Sequence, residues 1–157
     1  MGSRERVAEY LSNSGVRFEI REFDESTKNS ALAAQVLGCT VPEIAKSVVF
    51  VGGSAAVAVL SGDRKVDASK LSRLAGEDLR VARPDEVRDR TGFPIGGVPP
   101  FPHVEGVRVY PDSSLMRFQQ VWAAAGAPNT VFRIGTSDLV RLVGKGPYDI
   151  SAQMERL

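Results

Sequence analysis

Ala45-Lys46-Ser47-Val48-Val49-Phe50-Val51-Gly52-Gly53-Ser54-Ala55-Ala56-Val57-Ala58-Val59-Leu60 is the stretch whose reading decides the fold. Its first seven residues are rich in β-branched side chains, a glycine pair follows, and an apolar run resumes at Ala55. Two such runs joined by glycines predict a β-hairpin. Strand alternation puts Lys46 on the same face as Val48 and Phe50. A lysine entering an apolar strand stands out here, because the chain holds 15 arginines and only 5 lysines.

Working outward from the hairpin, residues 16–23 alternate Val16, Phe18 and Ile20 against Arg17, Glu19 and Arg21, which predicts a half-buried strand. A helix over residues 4–14 precedes it, and a polar loop follows. The next helix is expected from Ala31 to Leu37, with Ser30 as its N-cap and Gly38 past its end. Beyond the hairpin, Asp67 opens a helix over Ala68–Ala75. A short strand at Leu79–Ala82 leads to a helix starting at Pro84, whose acids Asp85 and Glu86 and whose basic last turn suit the helix dipole. Strands are expected at Val107–Tyr110, Gln120–Ala124 and Thr130–Ile134, a short helix from Asp112, and a last helix over Ser137–Val143 capped by Thr136. With no repeat and no linker, residues 1–157 read as a single α/β domain. Its sheet should be mixed and curled, barrel-like, with helices flanking it.

Composition excludes several classes. Residues 1–80 carry 11 basic and 11 acidic side chains, and residues 81–157 carry 9 and 8, for a net charge of +1. A protein that wraps duplex nucleic acid needs a basic excess to neutralise phosphates, so any nucleic acid bound here should be gripped at only a few of them. No apolar run approaches the roughly 20 residues of a membrane span. The start shows no signal-peptide pattern, and a cytoplasmic protein without membrane contact is expected. One histidine and one cysteine cannot build a His/Cys zinc site, and neither a phosphate-binding loop nor a dinucleotide fingerprint is present. No cofactor and no metal are expected.

Two features could carry chemistry. Lys46 is either a stem packed on apolar neighbours with its ammonium in water, or a fixed cation beside a pocket. The loop Phe93-Pro94-Ile95-Gly96-Gly97-Val98-Pro99-Pro100-Phe101-Pro102-His103 cannot be regular structure. Its prolines lack N–H groups, whereas Gly96, Gly97 and Val98 supply three consecutive donors. Such a loop either crosses a sheet edge or holds a carbonyl oxygen in preorganised amides. His103 is a secondary candidate. Asp138 reads as a helix-start acid, Cys39 as an inert thiol, and Trp122 and Phe118 as core.

Four segments, in order, resemble the YbaK / prolyl-tRNA-synthetase-associated domain family: Ala45–Phe50, Lys65–Leu71, Thr91–Pro100 and Val131–Leu139. The resemblance implies a free-standing aminoacyl-tRNA deacylase. Its substrate would be mischarged tRNA, chiefly tRNA for proline carrying a small residue such as alanine or cysteine. Lys46 would anchor the acceptor end or the aminoacyl group. The amides of Gly96, Gly97 and Val98, ahead of Pro100, would hold the ester carbonyl while water attacks. Val48, Phe50, Ile20 and His103 would contact substrate. Prolyl-tRNA synthetase is an implied partner, and the chain could be a monomer or a homodimer. The chain departs from the family at Pro99, where many members carry Ser or Thr, and it lacks an acid at Asn129–Phe132 that some cysteine-directed members have. Both departures favour alanine or another small residue over cysteine. The alternative is a non-catalytic module that binds tRNA ends or docks on a synthetase.

Overall fold

A computed structural model describes residues 2–24 and 29–154. The polar loop expected after the first strand includes residues 25–28, which lie outside the described residues. The hairpin forms as the sequence requires: β2 (Ile44–Val51) pairs antiparallel with β3 (Ala55–Ser61) from Ala45↔Ser61 to Val51↔Ala55. Every residue of β3 is buried, because both faces of this strand are covered. Val57 and Val59 face the larger core, while Ala56 and Ala58 face a smaller one on the opposite side.

Around this hairpin the main sheet runs β1 (Phe18–Glu22), β8 (Thr130–Gly135), β7 (Gln120–Ala127), β2, β3, β6 (Val107–Pro111). The β2–β7 and β3–β6 pairs are parallel and the others antiparallel, so the sheet is mixed as expected. The sheet is not closed, and "barrel-like" describes its curl only loosely. β4 (Arg64–Val66) pairs with β9 (Ser151–Gln153) in a separate ribbon. The alternation rule did not reach these three-residue strands.

Helices cover both faces. On one side α1 (Ser3–Ser14), α4 (Pro84–Thr91) and α5 (Thr136–Val143) send Val7, Leu11, Val87 and Leu139 into the larger core. On the other, α3 (Ala68–Ala75) buries Leu71 against Phe50 and Ala56, and α2 (Ser30–Leu37) buries Ala33 and Ala34 near Ile44, Trp122 and Val131. Two caps differ from expectation. Asn29 caps α2, its side chain accepting from Leu32 N–H, because Ser30 is already helical. Thr136 begins α5 after Gly135, and its hydroxyl donates to Phe118 C=O at 2.6 Å. The short helix after Asp112 is a 3-10 turn, Ser113–Arg117.

Asp112 also fastens the end of the chain. It is 1% exposed and accepts from Ser114 N–H, Ile150 N–H and the Ser151 hydroxyl at 3.0, 3.0 and 2.8 Å. Burial pushes its carboxyl up, but these donors outweigh burial and hold it below the ordinary carboxylate range. A folded value below the unfolded one stabilises the protein above the unfolded pKa, and that stability is lost as pH falls through the folded value. Asp112→Asn should therefore cost about 2 kcal/mol at neutral pH. The loss should shrink below about pH 4, near the unfolded aspartate pKa, when urea unfolding is followed across pH.

Candidate active site

The site originates in a gap along β2. One edge of β2 is paired throughout by β3. The other edge is shared: β7 pairs it only at Ile44 and Ala45, and β5 (Arg80–Val81) only at Phe50 and Val51. Residues 46–48 therefore border a stretch of open edge. A cavity of about 570 Å³ occupies this place. Lys46, Val48, Gly96 and Val98 line it, so the lysine and the Gly96–Val98 loop meet although some 50 residues separate them.

Lys46 is half-buried, and its Nζ donates to Gly62 C=O at 3.3 Å. Burial pushes the ammonium below the ordinary lysine range, and the Asp63 carboxylate partly restores it. Asp63 also lines the cavity and is held by Arg117 through two bonds of 3.1 and 2.7 Å. Both readings of Lys46 thus describe part of the observation: its stem crosses apolar surface and its cation sits at a pocket.

The loop is fixed by β7. A register shift between Ala124 and Ala127 bulges that strand, and Gly126 N–H donates to Gly97 C=O at 3.0 Å. The approach is so close that a Cβ on Gly97 would lie 2.8 Å from the Ala127 backbone. Gly97 N–H donates to Pro94 C=O at 2.9 Å. One of the three expected donors is thereby spent inside the loop, and no backbone acceptor meets the N–H groups of Gly96 and Val98 among the described residues. Gly96 has φ +82°, a conformation that favours glycine.

Other expected site residues lie elsewhere. Phe50 does share a face with Lys46 and Val48, but it is 2% exposed in the smaller core beside β5 and α3. Ile20 lies on edge strand β1, opposite Phe132, outside the cavity. Pro100 and His103 line a second hollow of about 380 Å³. The His103 Nε2 lies 2.7 Å from Pro99 C=O, which can only accept, so Nε2 carries the hydrogen. Burial holds this imidazole below the ordinary histidine range. It braces the loop from behind and does not face the Lys46 cavity.

Sequence reasoning missed the opposite wall, formed by Ala33, Val41 and Trp122, and missed Ser47 and Asp63. Trp122 is core, as expected, and lines the cavity as well. The guanidinium groups of Arg21 and Arg133 lie 5.0 and 5.4 Å from its ring centre.

A half-buried cation and a glycine-built amide loop thus border one cavity in a mixed sheet. Residues 24–142 match the aminoacyl-tRNA editing domain model, and the chain belongs to that family. It is 36% identical over 123 residues to the uncharacterized protein YwhH of Bacillus subtilis, covering 77% of this chain and 78% of that one. It is 27% identical over 147 residues to the multifunctional Ser/Thr-tRNA deacylase ProXp-y of Escherichia coli, covering 89% and 87%. A crystal structure described as a candidate trans-editing enzyme for prolyl tRNA synthetase superposes with TM-score 0.87 at 39% identity, covering 97% and 98%.

Two substitutions test the loop. Gly97→Ala should lower stability by about 2 kcal/mol, because the backbone of Ala127 cannot yield, and should reduce deacylation with it. His103→Ala should slow deacylation about tenfold by freeing Pro99, a loss of roughly one hydrogen bond. His103→Gln, which keeps a donor for that carbonyl, should recover most of the rate in the same assay.

Proposed function

We propose that the protein hydrolyses in trans the ester joining a small amino acid, such as alanine or cysteine, to the 3′ end of mischarged tRNA, with tRNA for proline the first candidate. The observation that carries this reading is the meeting of Lys46 with the Gly96–Val98 loop across one cavity. In the reaction, water adds to the ester carbonyl carbon, and the oxygen becomes an oxyanion within reach of the Gly96 and Val98 amides. The tetrahedral intermediate then collapses. The bond to the ribose oxygen breaks, that oxygen takes a proton, and free amino acid and tRNA leave. Lys46 holds the acceptor-end phosphate or the aminoacyl group in register, and the amides supply the stabilisation without a protein nucleophile.

The test is deacylation of tRNA charged with alanine, cysteine, serine, threonine or proline. Wild type should exceed the spontaneous rate on at least one of them, and Lys46→Ala should lower kcat/KM about 100-fold. Binding without turnover of any substrate would instead favour a non-catalytic module that recognises tRNA ends or docks on a synthetase. Lys46→Met separates chemistry from folding. A lysine whose folded pKa lies below its unfolded value penalises the fold while charged, and the penalty lifts as pH rises through the lowered value. Lys46→Met should therefore lose activity yet unfold no more easily than wild type at neutral pH. The affinity for tRNA should fall with salt by a slope matching only about two to four phosphates.

A further inference from the structure

We propose that Asp63 determines which acyl groups the site accepts: its carboxylate receives the α-ammonium of an aminoacyl ester, and an ester whose α-amine is acylated, as in a peptidyl or formylated group, is left intact. This rests on the deacylase reading and adds a requirement on the α-nitrogen that holds whatever the side chain. Of the described residues that line the cavity, Lys46 and Asp63 carry charge, one of each sign, and the others are neutral.

The turn between β3 and β4 places this carboxylate. Gly62 N–H donates to Ile44 C=O at 2.8 Å, and Gly62 C=O accepts from Lys46 Nζ at 3.3 Å. A Cβ at Gly62 would lie 2.5 Å from the Val41 carbonyl oxygen and 2.9 Å from Ser30 Cβ, so the turn is wedged against the start of α2 and the 3-10 turn Val41–Glu43. Asp63 follows at once. Arg117 donates to both of its carboxylate oxygens, at 3.1 and 2.7 Å. These bonds hold the carboxyl below the ordinary range and keep it ionised at neutral pH. The side chain is still 35% exposed. A carboxylate has about four acceptor positions, and Arg117 fills two of them. Lys46 leaves the others open, since its hydrogen bond goes to Gly62 C=O.

An aminoacyl ester carries charge in the same arrangement. Its carbonyl stands between a phosphodiester on the ribose side and an α-amine on the acyl side, and a peptide α-amine stays largely protonated up to about pH 7.7–8.0. Lys46 attracts the phosphate and repels the ammonium, and Asp63 does the reverse. The pair thereby sets which way round the ester lies against the Gly96–Val98 loop. A hydrogen bond between two charged groups is also stronger than one between neutral groups. An acylated nitrogen has lost its charge and keeps a single N–H, and its acyl group adds bulk where the ammonium would sit. Such an ester brings Asp63 little to bind and leaves the carboxylate desolvated.

The experiment uses one tRNA charged with the fastest-hydrolysed of alanine, cysteine, serine, threonine and proline, its α-amine free or acetylated. Wild type, Asp63→Asn and Arg117→Gln are compared. Binding of the 3′-alanyl amide of adenosine and of its N-acetyl form, neither of which contains an ester, is measured alongside. Wild type should prefer the free amine in both assays. Asp63→Asn, which keeps the shape and removes the charge, should lower the free-to-acetylated ratio of kcat/KM roughly 30-fold, the equivalent of one charged hydrogen bond. Arg117→Gln breaks the ion pair but leaves the carboxylate, and it should hold that ratio within about threefold. An unchanged ratio in Asp63→Asn, an equal fall in Arg117→Gln, or a wild type indifferent to acetylation overturns the proposal while leaving the deacylase reading intact. Tighter binding of the free amide, lost in Asp63→Asn, in a protein that hydrolyses none of the esters would support Asp63 and overturn the deacylase reading.

Discussion

The backbone-to-backbone contact between Gly97 and Ala127 is the constraint on which the site depends. Two chain segments approach so closely there that no side chain fits between them. The approach needs a bulged β7, which frees Gly126 N–H from the ladder and turns it to Gly97 C=O. The bulge also lets α1 pack down, since a Cβ at Gly126 would meet Ser3 C=O at 2.6 Å. One irregularity therefore docks a helix on one side and the loop on the other. The prolines around the loop reduce its freedom before folding, so little further ordering is needed to present the remaining amides.

The second requirement is a strand that changes partners. β2 begins beside β7 and ends beside β5, and the edge between those two pairings stays open. Were β7 to continue along β2, the ladder would consume the amide groups at Ser47 and close the space that Lys46 faces. The cost of leaving the edge open appears as a half-buried ammonium at Lys46. That ammonium works against stability, and it borders the cavity. Features that a stable fold would discard usually persist where they serve a ligand.

This pattern explains what the sequence could disclose. The hairpin was legible because a glycine pair between β-branched runs is a local signal, and Lys46, Val48 and Phe50 do share a face. Whether a residue on that face meets a cavity or a core depends on where β5 and α3 lie, and those are long-range facts; Val48 meets the cavity and Phe50 the core. The loop was legible as irregular and amide-rich, but not the internal turn that spends Gly97 N–H on Pro94. His103 looked like part of the site from its place at the loop's end. Its imidazole instead reaches back to Pro99, a direction that sequence order does not specify. The wall from α2 and Trp122 lies far from Lys46 in sequence.

Charge then limits how such a site recognises its substrate. The chain's net charge is +1, and many of its arginines are already engaged: Arg117 with Asp63, Arg133 with Glu19, Arg80 with Glu86, Arg108 with Glu77. Little free positive field remains to draw in a polyanion from a distance. Under the proposed function, discrimination rests on what enters the cavity, where Lys46 would meet charge and the walls the acyl group. A protein that grips a long duplex would need the opposite arrangement, with many unpaired cations on its surface and no deep pocket. The paired surface and the open β2 edge together suit the proposed grip on one end of the substrate.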